Sequence, residues 1–341
     1  MAFSTIEMVT HDFNYTTYEV NCSELREVLI SSASPNYWLV AILAIYFVVG
    51  FFGNGVLVVL FMKEKDLRNI NNALITNLAV SDFLYLGVIA PIFFGQFYRY
   101  RPFGKKFCII STVTNYTSQA VSSVSLTAVS YFRYCAVVRP LQSRMKSHRK
   151  SIITFCLLSW LIGAVFSFFP AMYCEEHPRR DCFVVGRYRI NFFYEHVKFF
   201  KYFWVRFIVF YLLPLFIIIY FYGRVAYTLC TSSISLETNE SIQYNNQATS
   251  RSRNKVSIVS IIITVTFFVS WMPTYIYWFN GLDDAVFTSE LSTARTLTRF
   301  IPAAVDPIIL FVTSTNYRKG FLNLRFCRGV KVTNARRVAR N

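Results

Sequence analysis

Seven apolar segments, each long enough to cross a bilayer, constrain this chain more than any other feature. A hydrocarbon core of ~30 Å needs ~20 helical residues. Runs of that kind lie at 37–62, 72–97, 107–138, 151–173, 199–228, 256–280 and 291–313. A chain of 341 residues that is 54% hydrophobic and only 16% charged is excluded from the ordinary class of soluble two-domain proteins. The third and fifth runs carry Asn115, Ser118, Gln119, Ser122 and Arg206. Lipid does not tolerate such groups, so these faces must turn toward other protein. The expected fold is an all-α membrane protein, a seven-transmembrane helix bundle over 37–313 with a polar interior.

Orientation follows from where the positive charge sits in the short loops. Lys63, Lys65 and Arg68 follow the first run; Arg139, Arg144, Lys146, Arg149 and Lys150 follow the third; Arg318, Lys319, Arg325, Arg328 and further arginines follow the seventh. These belong to the cytoplasm, which makes 1–36 an extracellular amino terminus whose sequons at Asn14 and Asn21 would accept glycans. Sequons at Asn115 and Asn239 fall in a membrane helix and a cytoplasmic loop and read as chance matches. The first apolar run is too long for a signal-peptide core, so it is expected to act as a signal anchor. The polar stretch 231–255, rich in Ser, Asn and Thr, reads as a mobile cytoplasmic loop. Residues 314–341 read as a short amphipathic eighth helix and a basic tail, with Cys327 positioned for palmitoylation at the inner leaflet.

Of eight cysteines, Cys22, Cys108, Cys174 and Cys182 fall on the oxidising side. A bond from Cys108 to the 173–198 loop would tie that loop over the bundle mouth. Cys108 with Cys182 is the favoured pair, and Cys22 with Cys174 a second; connectivity does not follow from the sequence.

One motif per run completes the pattern: Asn54 in Gly53-Asn-Gly-Val, Asn77-Leu-Ala-Val-Ser-Asp82, Cys108 with Phe132-Arg-Tyr134, Trp160, Pro214 with Tyr222, Phe267-Phe-Val-Ser-Trp-Met-Pro273, and Asp306-Pro-Ile-Ile-Leu310. In this order the chain resembles the rhodopsin-like (class A) G-protein-coupled receptors, with a resemblance to their peptide-receptor branch. The resemblance covers nearly the whole chain. Singly, each tryptophan could be packing and each proline a tolerated kink; the ordered set is what is specific.

The resemblance implies a plasma-membrane receptor that binds an extracellular ligand and activates a heterotrimeric G protein, with arrestin and membrane lipids as further partners, and no enzymatic activity. No catalytic cluster or nucleic-acid partner is expected, and no cofactor beyond a sodium ion in the core. That ion would be held by Asn54, Asp82, Ser122 and Asp306, since all-oxygen ligands suit a hard cation. The alternative is a hydrated core in which Arg299, two turns from Asp306, is the counter-charge.

The resemblance makes Phe132, Arg133, Tyr134, Tyr222, Asp306, Pro307 and Leu310 the coupling and switch positions, and two of them depart from the family's pattern. An acid usually precedes the arginine and pairs with it; Phe132 cannot accept a hydrogen bond. The usual acid at the foot of helix six is also missing, the spacing from Pro273 landing on Arg253. Leu310 replaces a tyrosine that meets the helix-five tyrosine, here Tyr222, in the active form. The first change favours the active state and the second disfavours it. For ligand-free signalling the Phe132 ring itself is expected to matter little.

Counting from Arg133 puts Asn115, Tyr116 and Gln119 on the ligand-facing side of helix three. None is the carboxylate that amine receptors use, and Phe300 stands where opsins carry their lysine. Arg206 and Arg299, with Trp271, Tyr275 and Trp278, complete the expected pocket. Arginines at membrane depth need anions, so a peptide with an acidic group fits, as does a small acidic metabolite or lipid. The competing readings are internal pairing with Glu195, Asp283, Asp284 or Asp82, and snorkelling of Arg206 to the surface. A non-coupling or decoy receptor is the other functional class that Phe132 and Leu310 leave open.

Overall fold

The computed structural model describes residues 37–97, 105–139, 149–172, 201–236, 243–279 and 290–326. Asn14, Asn21, Cys22, Cys174, Cys182, Glu195, Asp283, Asp284 and Cys327 lie outside them. The described chain is helical: α1 (Tyr37–Lys63), α2 (Ile70–Phe97), α3 (Lys105–Val138), α4 (Arg149–Met172), α5 (201–236), α6 (Gln243–Phe279), α7 (Glu290–Thr313) and a short α8 (Thr315–Phe326). The first seven are each long and apolar enough to cross a membrane, so this is a multi-pass membrane protein with an extra helix after the seventh span. Each expected run coincides with one span.

The expected loop at 231–255 is a difference. Here α5 continues to Leu236 and α6 begins at Gln243, leaving only 237–242 outside the described residues. Ser, Thr and Asn each cost a helix only ~0.5 kcal/mol relative to alanine, and lengthening an existing helix avoids the nucleation penalty. Polar composition therefore marks where the helices leave the membrane, not where they stop.

Burial separates the spans. Two-thirds (67%) of the apolar window of α2 and α3 is inside the bundle, against 22% for α1 and α4. The third helix is the central post, packing on α2, α4 and α5, while α1 leans on α2 and α7. Its serines explain the fit: Ser118, Ser122, Ser123, Ser125 and Ser130 are buried, and small hydroxyl residues let neighbouring backbones approach. Gly50 does the same between α1 and α7, where an added Cβ would stand 2.8 Å from the Ala303 carbonyl oxygen.

Prolines organise the contacts between helices. A proline in a helix withholds the N–H that would bond the carbonyl four residues earlier, and in lipid that carbonyl needs another donor. Pro170, Pro214 and Pro307 leave the carbonyls of Phe166, Phe210 and Ala303 in this position. Each receives a side-chain donor from a neighbouring helix: Tyr202 Oη to Phe166 at 2.7 Å, Ser123 Oγ to Phe210 at 2.8 Å, and Asn54 Nδ2 to Ala303 at 2.7 Å. A π-helical turn at Ile208–Leu212 precedes Pro214. Tyr211 Oη donates to Phe268 O at 3.0 Å, joining α5 to α6 five residues before Pro273.

Candidate functional site

Three polar layers are stacked along α3. In the outer layer, Arg206 of α5 is 3% exposed; it points into the bundle and does not snorkel. Its guanidinium lies 3.8 Å from the Tyr116 ring centroid and its Nη2 donates to Gln119 Oε1. Gln119 Nε2 in turn donates to Tyr275 Oη at 2.7 Å. A chain of three side chains thus joins α5, α3 and α6. The Nη1 atom of Arg206 is buried without a hydrogen-bond partner.

The wall around this chain is aromatic. Phe207 stacks on Tyr211 at 5.3 Å and lies 4.8 Å from Tyr275, and Trp271 is buried beneath with Phe267 6.1 Å away. Across the bundle, Arg299 sits 5.6 Å from the Phe93 ring centroid, and Phe300 packs on Tyr85 and Phe93. Asn115 is half-buried, with its Oδ1 unbonded. Trp278 belongs to α6, with its side chain outside the described residues.

The middle layer holds two carboxylates. Asp82 is 6% and Asp306 is 3% exposed, and they lie within electrostatic reach of each other. Asp82 Oδ2, Asp306 Oδ1 and Asn54 Oδ1 are all buried acceptors without a donor. Ser122 bonds Ser81 Oγ at 3.1 Å and the Ser118 carbonyl at 2.9 Å. Two carboxylates sharing a buried site cannot both carry uncompensated charge, and unfilled oxygen acceptors fit a small hard cation with its water. Beside this layer, Trp160 Nε1 donates to Asn77 Oδ1 at 2.9 Å and Asn77 Nδ2 to Ser125 Oγ at 2.9 Å, fastening α2, α3 and α4.

In the inner layer, Arg133 is 8% exposed and its Nε has no partner. The polar group facing it is Tyr222 of α5, whose hydroxyl lies near Ser260 and Thr264 of α6 without forming a bond of normal geometry. Tyr134 packs in a cluster with Val137 and Val225, its ring 5.2 Å from Phe221. Leu310 joins the apolar core that also contains Leu57, Leu126 and Tyr317. Arg253 carries a side chain outside the described residues.

Phe132 also has a packing role. Its ring is 5% exposed and belongs to a cluster with Leu74, Val129 and Ile152, meeting Phe155 edge-on at 6.1 Å. The side chain is a packing element between α2, α3 and α4, so its ring matters to the bundle. The Cys108 sulfur is in a disulfide, with the partner outside the described residues. Sequence reasoning missed Ser123, Tyr202 and Tyr211; for Ser123 and Tyr202 the signal is the carbonyl left unbonded by Pro214 and Pro170.

The chain is 27% identical over 325 residues to a neuropeptide CCHamide-1 receptor of Drosophila melanogaster, covering 86% of this chain and 62% of that receptor. It thus spans less than two-thirds of that relative's length. It is 26% identical to a [Phe13]-bombesin receptor of Bombina orientalis, over 86% of this chain and 78% of that one. With bombesin receptor subtype-3 of Ovis aries it shares 25% identity, over 83% and 73% of the two chains. The sequence profile described as "7 transmembrane receptor (rhodopsin family)" matches residues 53–310, and the chain therefore belongs to the rhodopsin family of seven-transmembrane receptors, which are not enzymes.

Proposed function

We propose that the chain is a peptide receptor of the plasma membrane, its amino terminus outside, that activates a heterotrimeric G protein and is bound by arrestin. The observation that carries this reading is the buried chain Arg206–Gln119–Tyr275, a cation and two polar groups joining α5, α3 and α6 in the outer layer of a chain whose relatives are named for a neuropeptide and for bombesin. Arg206, Gln119, Tyr116, Asn115, Tyr275, Trp271, Trp278 and Arg299 form the ligand pocket. The middle layer of Asn54, Asp82, Ser122 and Asp306 would hold a sodium ion, whose chemistry is to neutralise the two carboxylates in the resting bundle. Arg133 with Tyr134 and Tyr222 forms the coupling face, and Cys108 with Cys182 ties the outer loop. Residues 1–36 carry glycans on Asn14 and Asn21, and Cys327 takes a lipid chain in the basic tail that completes 314–341.

The test is a library of synthetic peptides and a second library of acidic metabolites and fatty acids, applied to cells expressing the full chain. Arrestin recruitment and G-protein dissociation are read side by side. The reading expects hits among peptides in both readouts. Hits confined to the small acids move the assignment to a metabolite receptor, and arrestin recruitment without G-protein dissociation moves it to a non-coupling one.

A further inference from the structure

Arg206 is a cation at membrane depth with an electrostatic problem that the described residues do not solve. Its guanidinium is screened by a tyrosine face at 3.8 Å and by the neutral amide oxygen of Gln119, and Nη1 is buried without any acceptor. An aromatic face and an amide each stabilise a guanidinium less than a carboxylate does. Leaving a buried N–H of a charged group unbonded is among the more costly arrangements a protein interior can hold. Tyr202 donates its hydroxyl to the Phe166 carbonyl and its oxygen lies close to the guanidinium, but it forms no bond of normal geometry with Nη1 and, as a neutral phenol, brings no charge to it.

The neutral partner of the arginine is also the hinge of the chain. Gln119 accepts from Arg206 with Oε1 and donates to Tyr275 with Nε2. An amide has one plane, so a group that draws the guanidinium away from Oε1 also frees the amide to turn and loosens the bond to Tyr275. Tyr275 stands one turn above Trp271 on α6 and belongs with it to the same packed core. The bond is therefore a restraint on α6 held by α3, and its strength depends on where Arg206 points.

We propose that Arg206, Gln119 and Tyr275 form a clasp that holds α6 in its resting position, and that the clasp is opened by a carboxylate of the ligand bonding Arg206 Nη1. This deepens the peptide-receptor reading above and rests on it for the identity of the ligand as a peptide. A carboxylate is the matching chemistry because one charge meets one free N–H edge in an otherwise apolar aromatic cage. A doubly charged phosphate would bring more charge than the cage neutralises. The carboxylate has two sources in a peptide, its carboxyl terminus or an acidic side chain.

The experiment uses the full chain in lipid nanodiscs with a fluorine-labelled amino acid introduced at position 258, where Ile258 is exposed near the inner end of α6. Fluorine NMR then reports α6 without requiring a G protein. Tyr275→Phe removes one oxygen and keeps the ring; Gln119→Leu removes both bonds. Each is expected to shift the resting-to-shifted population ratio by roughly threefold or more in the same direction, and the double variant no further than the larger single, because the two act through one bond. Three pools of acetylated tetrapeptides supply the ligand side: free carboxyl termini without acidic residues, amidated termini with one Asp, and amidated termini with Asn instead. The proposal expects the first or the second pool to shift the fluorine signal and the third to leave it, the responding pool naming the carboxylate's source. Arg206→Gln should weaken that response roughly tenfold or more.

Neither Tyr275→Phe nor Gln119→Leu moving the signal would overturn the clasp. An equal response to the Asp and Asn pools with none to free termini, or an undiminished response in Arg206→Gln, would overturn the carboxylate. A carboxylate-dependent fluorine shift with no nucleotide exchange on any G protein upholds the clasp and defeats the signalling reading instead.

Discussion

At the residue scale the two departures from the family's pattern have different physical consequences. Phe132 fills a buried apolar cluster between α2, α3 and α4, so Phe132→Ala should lower thermal stability by about 3 kcal/mol, the low end for such truncations because the membrane contributes no water-transfer gain. Phe132→Leu should cost less than half as much. Equal melting temperatures for wild type and Phe132→Ala in the same detergent would show that the ring does not pack as described. Leu310 is also core and, like Phe132, offers no hydrogen-bonding group. That Phe132 cannot pair with Arg133 was legible in the sequence from hydrogen-bonding capacity alone. Where its ring goes was not, because residues 74, 129 and 152 come together only when three helices are placed.

At the element scale, what holds the helices in register is a set of donors aimed at carbonyls that prolines leave unbonded. Removing one donor should cost about 1–3 kcal/mol, the penalty of a buried acceptor left unsatisfied. Ser123→Ala, which loses the bond to Phe210 O, should therefore lower stability clearly more than Ser111→Ala, whose hydroxyl bonds a carbonyl within its own helix. Thermal unfolding of the two variants in nanodiscs checks this, and indistinguishable melting points would contradict it. The number of spans and their places in the chain were readable because 20-residue apolar runs have few alternatives. The continuation of α5 and α6 through polar sequence was not, since propensity differences of ~0.5 kcal/mol per residue are too small to locate a helix end. Of the site, the polar residues of α3 were legible as inward-facing, whereas the contact of Arg206 with Gln119 and Tyr116 depends on the rotation of α5 about its π-helical turn, which no local pattern encodes.

For the whole molecule, the three polar layers lie one below another along α3, from Gln119 through Ser122 to Arg133. In the middle layer, the unfilled acceptors of Asp82, Asp306 and Asn54 lead to an expected cation effect. Sodium chloride should raise the melting temperature relative to an equal concentration of N-methylglucamine chloride, and Asp82→Asn should abolish the difference; a difference that persists in Asp82→Asn would place the ion elsewhere. In the inner layer, Arg133 is buried without a carboxylate partner among the described residues, so on the proposed coupling role no acidic contact there has to be broken first. The account therefore expects ligand-free activity. The most direct measurement is nucleotide exchange on a panel of heterotrimers by the purified, ligand-free chain in nanodiscs, for wild type, Arg133→Gln and Leu310→Tyr, each confirmed folded by its melting curve. The account predicts exchange above the receptor-free rate for wild type on at least one heterotrimer, falling roughly tenfold or more in Arg133→Gln. A wild type with no exchange on any heterotrimer, gaining it only with Leu310→Tyr, would contradict it and show that the loss of the seventh-helix tyrosine outweighs the missing acid.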